Sequence, residues 1–165
     1  ARKGNTQTAI EAFAKGASGK HEVEVIAPDK LQIAPCKGCG ACECYKGCID
    51  QDDTNATIDK LAAADMILFA TPVYWWGITA QMKLVIDKCY CRGMQLKEKK
   101  VGTIVIGGAS TDGIQYELIR KQFECMAQYL SWDMAFHKSY SASAGDELAQ
   151  NAEVMVELEK LGASV

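Results

Sequence analysis

The sequence lacks the features that mark membrane-spanning or nucleic-acid-binding proteins. Its longest apolar run, Met66 to Ala70, is far shorter than the ~20 residues that a membrane-spanning helix requires. Basic residues are not in excess either, since 18 Lys and Arg against 21 Asp and Glu give a formal net charge of -3. Nucleic-acid binders usually carry a basic stripe. We therefore expect no membrane partner and no nucleic-acid partner.

The sequence also lacks linkers and internal repeats. Its 165 residues suit one domain of ordinary size. Hydrophobic residues make up 48% of the chain, which is enough to form a core without cross-links. We therefore treat residues 1–165 as a single domain.

Cysteine, by contrast, is unusually frequent. Five of the eight cysteines fall within thirteen residues, at Cys36, Cys39, Cys42, Cys44 and Cys48. A secreted disulfide scaffold fits poorly, because this chain has enough apolar sequence for its own core. We expect a reducing, cytoplasmic setting in which the thiols bind a metal or a cluster, or take part in redox chemistry.

Hydrophobic periodicity predicts alternating helices and strands. The predicted helices cover 5–17, 55–64, 79–90, 115–130 and 146–161, and the predicted strands cover 21–27, 66–70, 101–106 and 132–137. This alternation predicts a three-layer α/β fold with a mainly parallel sheet. Ligands of such sheets bind outside the carboxyl ends of the strands, so the loops at that edge are candidate sites.

Three loops at this edge have the composition of a ligand site. Residues 1–6 lead into the first helix with positive charge and side-chain donors, which suits either a phosphate cradle or an ordinary capped helix. Residues 71–77 contain three successive aromatics, which suit either stacking against a flat ring or a core or dimer contact. Residues 107–113 are rich in glycine, which suits either close approach of the backbone to a ligand or a simple turn.

The order of these motifs resembles the NADPH-dependent FMN reductase and iron–sulfur flavoprotein group. The run from Thr71 to Lys83, followed by Ile86-Asp87-Lys88, resembles that group's Pro-x-Tyr loop and the helix that follows it. The stretch from Cys36 to Cys42, with Asp52-Asp53 after it, is similar as well. The resemblance implies a flavodoxin-like fold, FMN as cofactor and NAD(P)H as electron donor.

The resemblance also implies which residues contact FMN. One group would hold the phosphate, a second would line the isoalloxazine, and a third would close over the pyrimidine side or the ribityl chain. In that order they are Arg2, Asn5 and Thr6; Pro72, Val73, Tyr74, Trp75, Trp76 and Gly77; and Gly107, Gly108, Asp112 and Gly113. The redox chemistry would belong to the flavin, and no side chain is required as general acid or base.

The cysteine spacing, Cys36-x2-Cys39-x2-Cys42-x5-Cys48, allows three interpretations. Four thiolates in a short loop can hold a 4Fe-4S cluster, as the resemblance to iron–sulfur flavoproteins implies. They can equally be free or redox-active thiols. Zinc is less favoured, because it usually takes two separated pairs of ligands. The remaining cysteines, Cys89, Cys91 and Cys125, are predicted to be buried and inert.

These observations lead to three candidate functions. The first is an FMN-dependent NAD(P)H oxidoreductase that reduces a small molecule such as a flavin or quinone, and we favour it because the flavin loops are the clearer signal. The second is an iron–sulfur flavoprotein that carries electrons between protein partners. The third is a non-enzymatic redox sensor. The Trp75–Trp76 pair suits a subunit contact, so we also expect a homo-oligomer.

The family's first strand has no counterpart in this sequence, which begins inside the phosphate loop. That strand would lie between the strands at 21–27 and 66–70. An empty slot there would leave two rows of backbone groups unpaired, at about 1–3 kcal/mol per group. We therefore expect the natural protein to begin before residue 1.

Overall fold

The structure, a computed structural model, describes residues 4–165, and its helices and strands alternate as predicted. The elements are α1 (Asn5–Ala17), α2 (Thr54–Ala63), β1 (Met66–Pro72), α3 (Ala80–Lys88), β2 (Lys100–Gly107), α4 (Ile114–Leu130), β3 (Asp133–Ser141), α5 (Glu147–Gln150) and α6 (Ala152–Ala163). There are also short 3-10 helices at Pro28–Lys30, between α1 and α2, and at Cys89–Arg92, directly after α3. Within residues 4–165, every helix is too short or too polar to cross a membrane.

The predicted helix at 146–161 is divided into α5 and α6. Asn151 lies between them with an extended backbone. Its side-chain oxygen accepts a hydrogen bond from the N–H of Val154 at 3.2 Å, which caps the start of α6. An asparagine inside a helical pattern therefore starts a new helix here.

The three strands form a parallel sheet in the order β1-β2-β3. The register pairs Pro72 with Ile106 and Gly107 with Ser141, so all three strands end at the same edge of the sheet. Strand β2 is central and is buried from Val101 to Gly107. A continuous apolar run predicts this strand correctly, because a strand in a covered parallel sheet is buried on both faces.

Helices cover both faces of the sheet, which confirms the predicted three-layer α/β architecture. Successive side chains of each strand point to opposite faces of the sheet, so each strand contributes to a hydrophobic core on either face. One face packs against α2, α3 and α4 through residues that include Ile58, Phe69, Val85, Val105 and Phe123. The other face packs against α1 and α6 through residues that include Ala9, Phe13, Ile104, Tyr140 and Leu158.

Helices α1 and α6 approach each other closely at two glycines. A Cβ atom on Gly162 would overlap the carbonyl oxygen of Phe13, and a Cβ on Gly16 would overlap that of Glu159. Because these obstacles are backbone atoms, they cannot move away as a flexible side chain could. The two glycines therefore set the distance between these helices.

The predicted strand at 21–27 is wrong. Residues 22–27 run without regular hydrogen bonding, and among residues 4–165 the strand β1 pairs only with β2. Val23 and Val25, which supplied the alternating pattern, are 37% and 56% exposed. A strand needs a hydrogen-bonded neighbour and a core for its apolar face, and the described residues provide neither for this segment.

Candidate functional site

The loops after the three strands are joined to one another by backbone hydrogen bonds. The N–H of Val73 donates to the carbonyl of Ile106 at 2.8 Å, and the N–H of Ala142 donates to the carbonyl of Gly107 at 2.8 Å. These bonds hold loops 72–77, 107–113 and 142–148 side by side. We call these loops, together with the start of α1, the cofactor edge.

The start of α1 is fixed to this edge by Asn5. Its side-chain amide donates to the carbonyl of Ala144 at 2.6 Å and accepts from the N–H of Leu148 at 3.1 Å. Asn5, predicted to contact phosphate, thus also ties the helix to the loop after β3. Thr6 lies in the first turn and is partly buried. The third predicted phosphate contact, Arg2, lies outside the described residues.

The first turn of α1 has the properties of an anion site. Its N-cap is Gly4, which has no side chain to accept from the first N–H groups, and the first turn contains no acidic residue. Among residues 4–165, an added Cβ on Gly4 would meet no atom within 4 Å. The first N–H groups of a helix have no acceptor within the helix, and the positive end of the helix dipole lies beside them, so this turn suits an anion.

The aromatic loop forms a tight turn with an unusual backbone. Tyr74 and Gly77 exchange two backbone hydrogen bonds of 2.9 and 3.0 Å, and the two residues between them are Trp75 and Trp76. Both tryptophans have positive φ angles, of 49° and 62°. Such turns normally use Asn and Gly, because a bulky side chain is strained in this conformation.

This turn presents its aromatic rings to solvent. Trp75 is 91% exposed and Trp76 is 54% exposed, and the two rings meet edge to face with centroids 5.4 Å apart. The core-cluster alternative for these residues is therefore excluded. Strained backbone and exposed aromatic surface at the end of a buried strand are typical of a ligand contact.

The glycine-rich loop is exposed but is held at its base. An added Cβ on Gly107 would lie 2.9 Å from both the Tyr116 hydroxyl oxygen and a methyl group of Val73. The buried Tyr116 hydroxyl donates to the carbonyl of Ala109 at 3.0 Å, and burial raises the pKa of this hydroxyl. Tyr116 therefore fixes the loop whose small residues approach their neighbours closely.

The remaining predicted residues of this loop lie at the same edge. An added Cβ on Gly108 would lie 2.6 Å from the hydroxyl oxygen of Ser143, so the two loops are in close contact here. Asp112 is exposed, and the N–H of Gly113 closes the loop by donating to the carbonyl of Ser110 at 2.9 Å.

The cysteine loop lines a cavity of about 260 Å³ at the C-terminal end of α3. All four cysteines of the predicted motif line this cavity, and so does Cys91 from the turn after α3. Cys91 was predicted to be buried and inert; it is buried, as predicted, and it is also a fifth thiol of the cavity wall. Cys125 was predicted to be buried, but it is exposed on α4.

The two halves of the cysteine loop differ in how firmly they are held. Cys36 and Cys39 are exposed, and the glycines between and after them, Gly38 and Gly40, have positive φ and open space around them. Cys48 is held on both sides of its backbone by Asn55, which accepts from its N–H and donates to its carbonyl, each at 2.8 Å. The second half is therefore preformed.

A buried ion pair lies beside Cys48. Lys88, at the end of α3, is 2% exposed, and its Nζ donates to Asp50 Oδ2 at 2.7 Å and to Cys48 Sγ at 3.3 Å. Asp50 also accepts from Lys37 at 2.9 Å, and the two lysines lower the pKa of Asp50 to about 2. Burial alone would lower the pKa of Lys88, but its hydrogen bonds to Asp50 and Cys48 raise it overall.

Sequence reasoning missed Lys88, Asp50 and Asn55 as parts of this site. Lys88 stands 40 residues from Cys48, and the Ile86-Asp87-Lys88 motif indicates only the end of a helix. The Asp52-Asp53 pair, which was noticed, holds the start of the loop. These carboxylates accept from the N–H groups of Ala34 and Gln32 at 2.9 and 2.7 Å.

The donor chemistry of the cavity suits some metal groups better than others. In residues 4–165, no three His, Cys, Asp or Glu side chains are arranged to hold a metal ion. A zinc ion requires thiolates that converge on one point at about 2.3 Å, so this argues against zinc. A 4Fe-4S cluster has its own iron and sulfide atoms between the thiolates, so thiols spread around a cavity fit it better.

Known proteins resemble this chain in sequence. An iron–sulfur flavoprotein of Methanosarcina thermophila is 33% identical over 95 residues, which are 56% of this chain and 50% of that protein. An iron–sulfur flavoprotein of Methanocaldococcus jannaschii is 32% identical over 114 residues, which are 67% of this chain and 59% of that protein. The chain thus spans little more than half the length of these relatives.

Solved structures share the fold. An NAD(P)H:quinone oxidoreductase from Methanothermobacter marburgensis superposes with a TM-score of 0.78 at 15% identity, covering 99% of this chain and 90% of that one. The Trp repressor binding protein from Bacillus subtilis superposes with a TM-score of 0.69 at 22% identity, covering 96% and 92%. The model of the NADPH-dependent FMN reductase family matches residues 1–140. Since this match covers 140 of the 165 residues, the chain belongs to the NADPH-dependent FMN reductase family.

Proposed function

We propose that this chain is an FMN-dependent NAD(P)H oxidoreductase that passes electrons to a small acceptor of the quinone or flavin type. The observation that carries the proposal is the cofactor edge. A helix N-terminus, an exposed aromatic turn and a glycine-rich loop lie together at the carboxyl ends of three parallel strands. This is where open α/β sheets bind their ligands.

Each part of the cofactor edge suits one part of FMN. The phosphate would bind the first turn of α1, where the N-cap is Gly4 and no acidic residue is present. The ring would lie against Trp75 or Trp76, whose exposed faces suit a flat, largely apolar surface. Bound FMN would supply the redox chemistry, and the loops would position its ring and limit access of water.

A variant at the start of α1 tests the phosphate contact. Thr6→Glu places a negative charge in the first turn, which is favourable for the helix itself but repels a phosphate. We expect weaker binding of FMN to the variant and unchanged binding of riboflavin, which has no phosphate. Quenching of flavin fluorescence measures both affinities, and riboflavin serves as the matched control on the same protein.

Turnover tests the enzymatic part of the proposal. The wild-type protein, loaded with FMN, should oxidise NADH or NADPH when a quinone is present, as followed by the loss of nicotinamide absorbance. Protein that takes up no FMN would overturn the proposal altogether. Protein that binds FMN and gives no turnover with either nicotinamide would favour the non-enzymatic sensor instead.

A second candidate function is supported by the cysteine cavity. Cys36, Cys39, Cys42 and Cys48 line one space, and thiols spread in this way suit a 4Fe-4S cluster. With both a cluster and FMN bound, the protein would carry electrons between redox partners. The names of the two relatives in sequence agree with this candidate.

Iron and sulfide analysis of anaerobically purified protein tests this candidate. We expect about four irons per chain, as in the Cys-ligated clusters to which the spacing corresponds. Cys48→Ser should lower the iron content, whereas Cys125→Ser, at an exposed thiol on α4, should leave it unchanged. Equal iron in both variants, or none in the wild type, would contradict the cluster.

The exposed tryptophans also support the predicted homo-oligomer. Light scattering should give a mass above that of one chain, and Trp75→Ala should lower it if the aromatic turn forms the contact. A monomeric wild-type protein would contradict this prediction.

A further inference from the structure

Lys88 is a charged side chain in an unusual position. Among the fully buried residues that the structure describes, it is the charged one, the other polar members being threonines. Taking an ammonium group out of water is costly unless it is paired, and a well-packed apolar residue is often at least as stabilising as a buried ion pair. The position therefore calls for a role other than stability.

The partners of Lys88 direct its charge toward the cysteine cavity. Its Nζ contacts the sulfur of Cys48 at 3.3 Å, and both residues line the cavity. Asp50 pairs with Lys88 at 2.7 Å but also with Lys37 at 2.9 Å, so one carboxylate is shared between two ammonium groups. Asp87 also lines the cavity, but its carboxylate pairs with Lys83, which lies outside the lining. Lys88 is therefore the buried cation of this wall, and it shares its carboxylate with a second lysine.

Lys37 differs from Lys88 in its exposure and in the thiol that it lies near, which is Cys39 rather than Cys48. It binds the same carboxylate and lines the same cavity, but its side chain is 68% exposed. Water and salt screen an exposed charge strongly, whereas they screen a buried charge much less. The chain therefore contains a matched control for the effect of Lys88.

We propose that Lys88 is a positioning residue for the cysteine cavity, which holds the Cys48 sulfur at the wall and raises the reduction potential of the cluster bound there. The inference rests on the proposed cluster. Each electron that the cluster takes up adds one negative charge to the cavity. A fixed positive charge at the wall stabilises this reduced state more than the oxidised state, which raises the potential.

Three variants, reconstituted anaerobically with iron and sulfide, test the inference by redox titration. Lys88→Met should shift the midpoint potential of the cluster to more negative values, and Lys88→Arg should keep most of the wild-type potential because it keeps the charge. Lys37→Met should give less than half the shift of Lys88→Met. Iron per chain, measured on the same samples, shows whether Cys48 still binds.

Asp50→Asn provides a second test if Lys88→Met does not fold. This variant removes the negative partner and keeps the ammonium, so the potential should move in the opposite direction, to more positive values. An unchanged potential in Asp50→Asn, or equal shifts for Lys88→Met and Lys37→Met, would overturn the inference. Wild-type protein without iron would instead overturn the cluster proposal itself, so the two failures are distinguishable.

Discussion

The aromatic turn offers a prediction that separates a ligand contact from a structural role. Trp75 adopts a left-handed backbone conformation although it is a large residue, and its side chain is 91% exposed. We consider Trp75→Asn, because asparagine tolerates this conformation and occurs often in such turns. If the tryptophan serves the flavin ring, the substitution should weaken FMN binding without weakening the fold.

The magnitude follows from three contributions. A left-handed conformation costs about 1–2 kcal/mol for an ordinary residue, and asparagine avoids most of this cost. Loss of the edge-to-face contact with Trp76 costs about 0.5–1.5 kcal/mol. Little burial is lost, since the ring is exposed. The FMN-free variant should therefore be as stable as the wild type or about 1 kcal/mol more stable.

The effect on the flavin should have the opposite sign. Stacking of an aromatic side chain on a nucleobase is worth about 1–3 kcal/mol, and a flavin ring offers a similar surface. The dissociation constant of FMN should therefore rise about 5- to 150-fold.

Urea unfolding of the FMN-free protein and fluorescence titration with FMN measure the two quantities. Tyr129→Asn, at an aromatic residue of α4 that is 76% exposed, is the control and should change neither. A loss of stability above about 1 kcal/mol in Trp75→Asn would mean that the turn is structural. Unchanged FMN affinity would refute the placement of the ring at this turn.

Three further predictions concern the packing, the acid response and the cysteine loop. Gly162→Ala should force α1 and α6 apart and destabilise the protein by about 1–3 kcal/mol. The melting temperature should fall by about 2–4 °C per kcal/mol. Gly19→Ala is the control and should be neutral, because the nearest atom to its added Cβ would be 3.9 Å away. Hydrogen bonds from the N–H groups of Ala144 and Ser143 lower the pKa of Glu147 below 4.5, so its stabilising effect is complete above pH 4.5 and is lost as the pH falls through the lowered value. Glu147→Gln should therefore flatten the loss of stability in acid, as measured by urea unfolding at several pH values. Asn55→Ala removes the acceptor of the Cys48 N–H, and hydrogen exchange at that amide should become faster while exchange in α4 stays unchanged.

Sequence patterns predicted the strands correctly where burial alone explains the pattern. They failed for a segment that would also need a hydrogen-bonded neighbouring strand. The run Met66 to Ala70 is apolar on both faces, which only a covered strand explains, and β1 lies there. Residues 21–27 have the alternation of a strand, but alternation describes only the two faces of a segment. It contains no information on whether another strand is present to accept the hydrogen bonds, and that is why this prediction was wrong.

The candidate site was predictable to a similar extent. Local motifs located the aromatic turn, the glycine loop and the cysteines, because each lies within a short stretch of chain. The strain at Trp75 and Trp76 was not predictable, since tryptophan is not a residue expected at positive φ. Lys88 was missed because its contact with Cys48 spans 40 residues and depends on how α3 packs against the cysteine loop.

Helix α3 relates the two candidate sites to each other. It begins just after the aromatic turn, where Thr79 caps it and also donates its N–H to the Thr71 hydroxyl at 3.3 Å. It ends nine residues later at Lys88, beside the cysteine cavity. At 1.5 Å per residue this places the two ends about 14 Å apart.

The direction of α3 also explains how Lys88 can stay charged while buried. The negative end of a helix dipole is its C-terminus, and Lys88 is the last residue of α3, so the helix itself favours the ammonium. Asp50 adds a second favourable contribution, and together with the Cys48 contact it raises the pKa of Lys88 despite burial. Because the pKa is raised, the charge persists through neutral pH. The helix that starts at the proposed flavin contact therefore places a buried positive charge at the wall of the cysteine cavity.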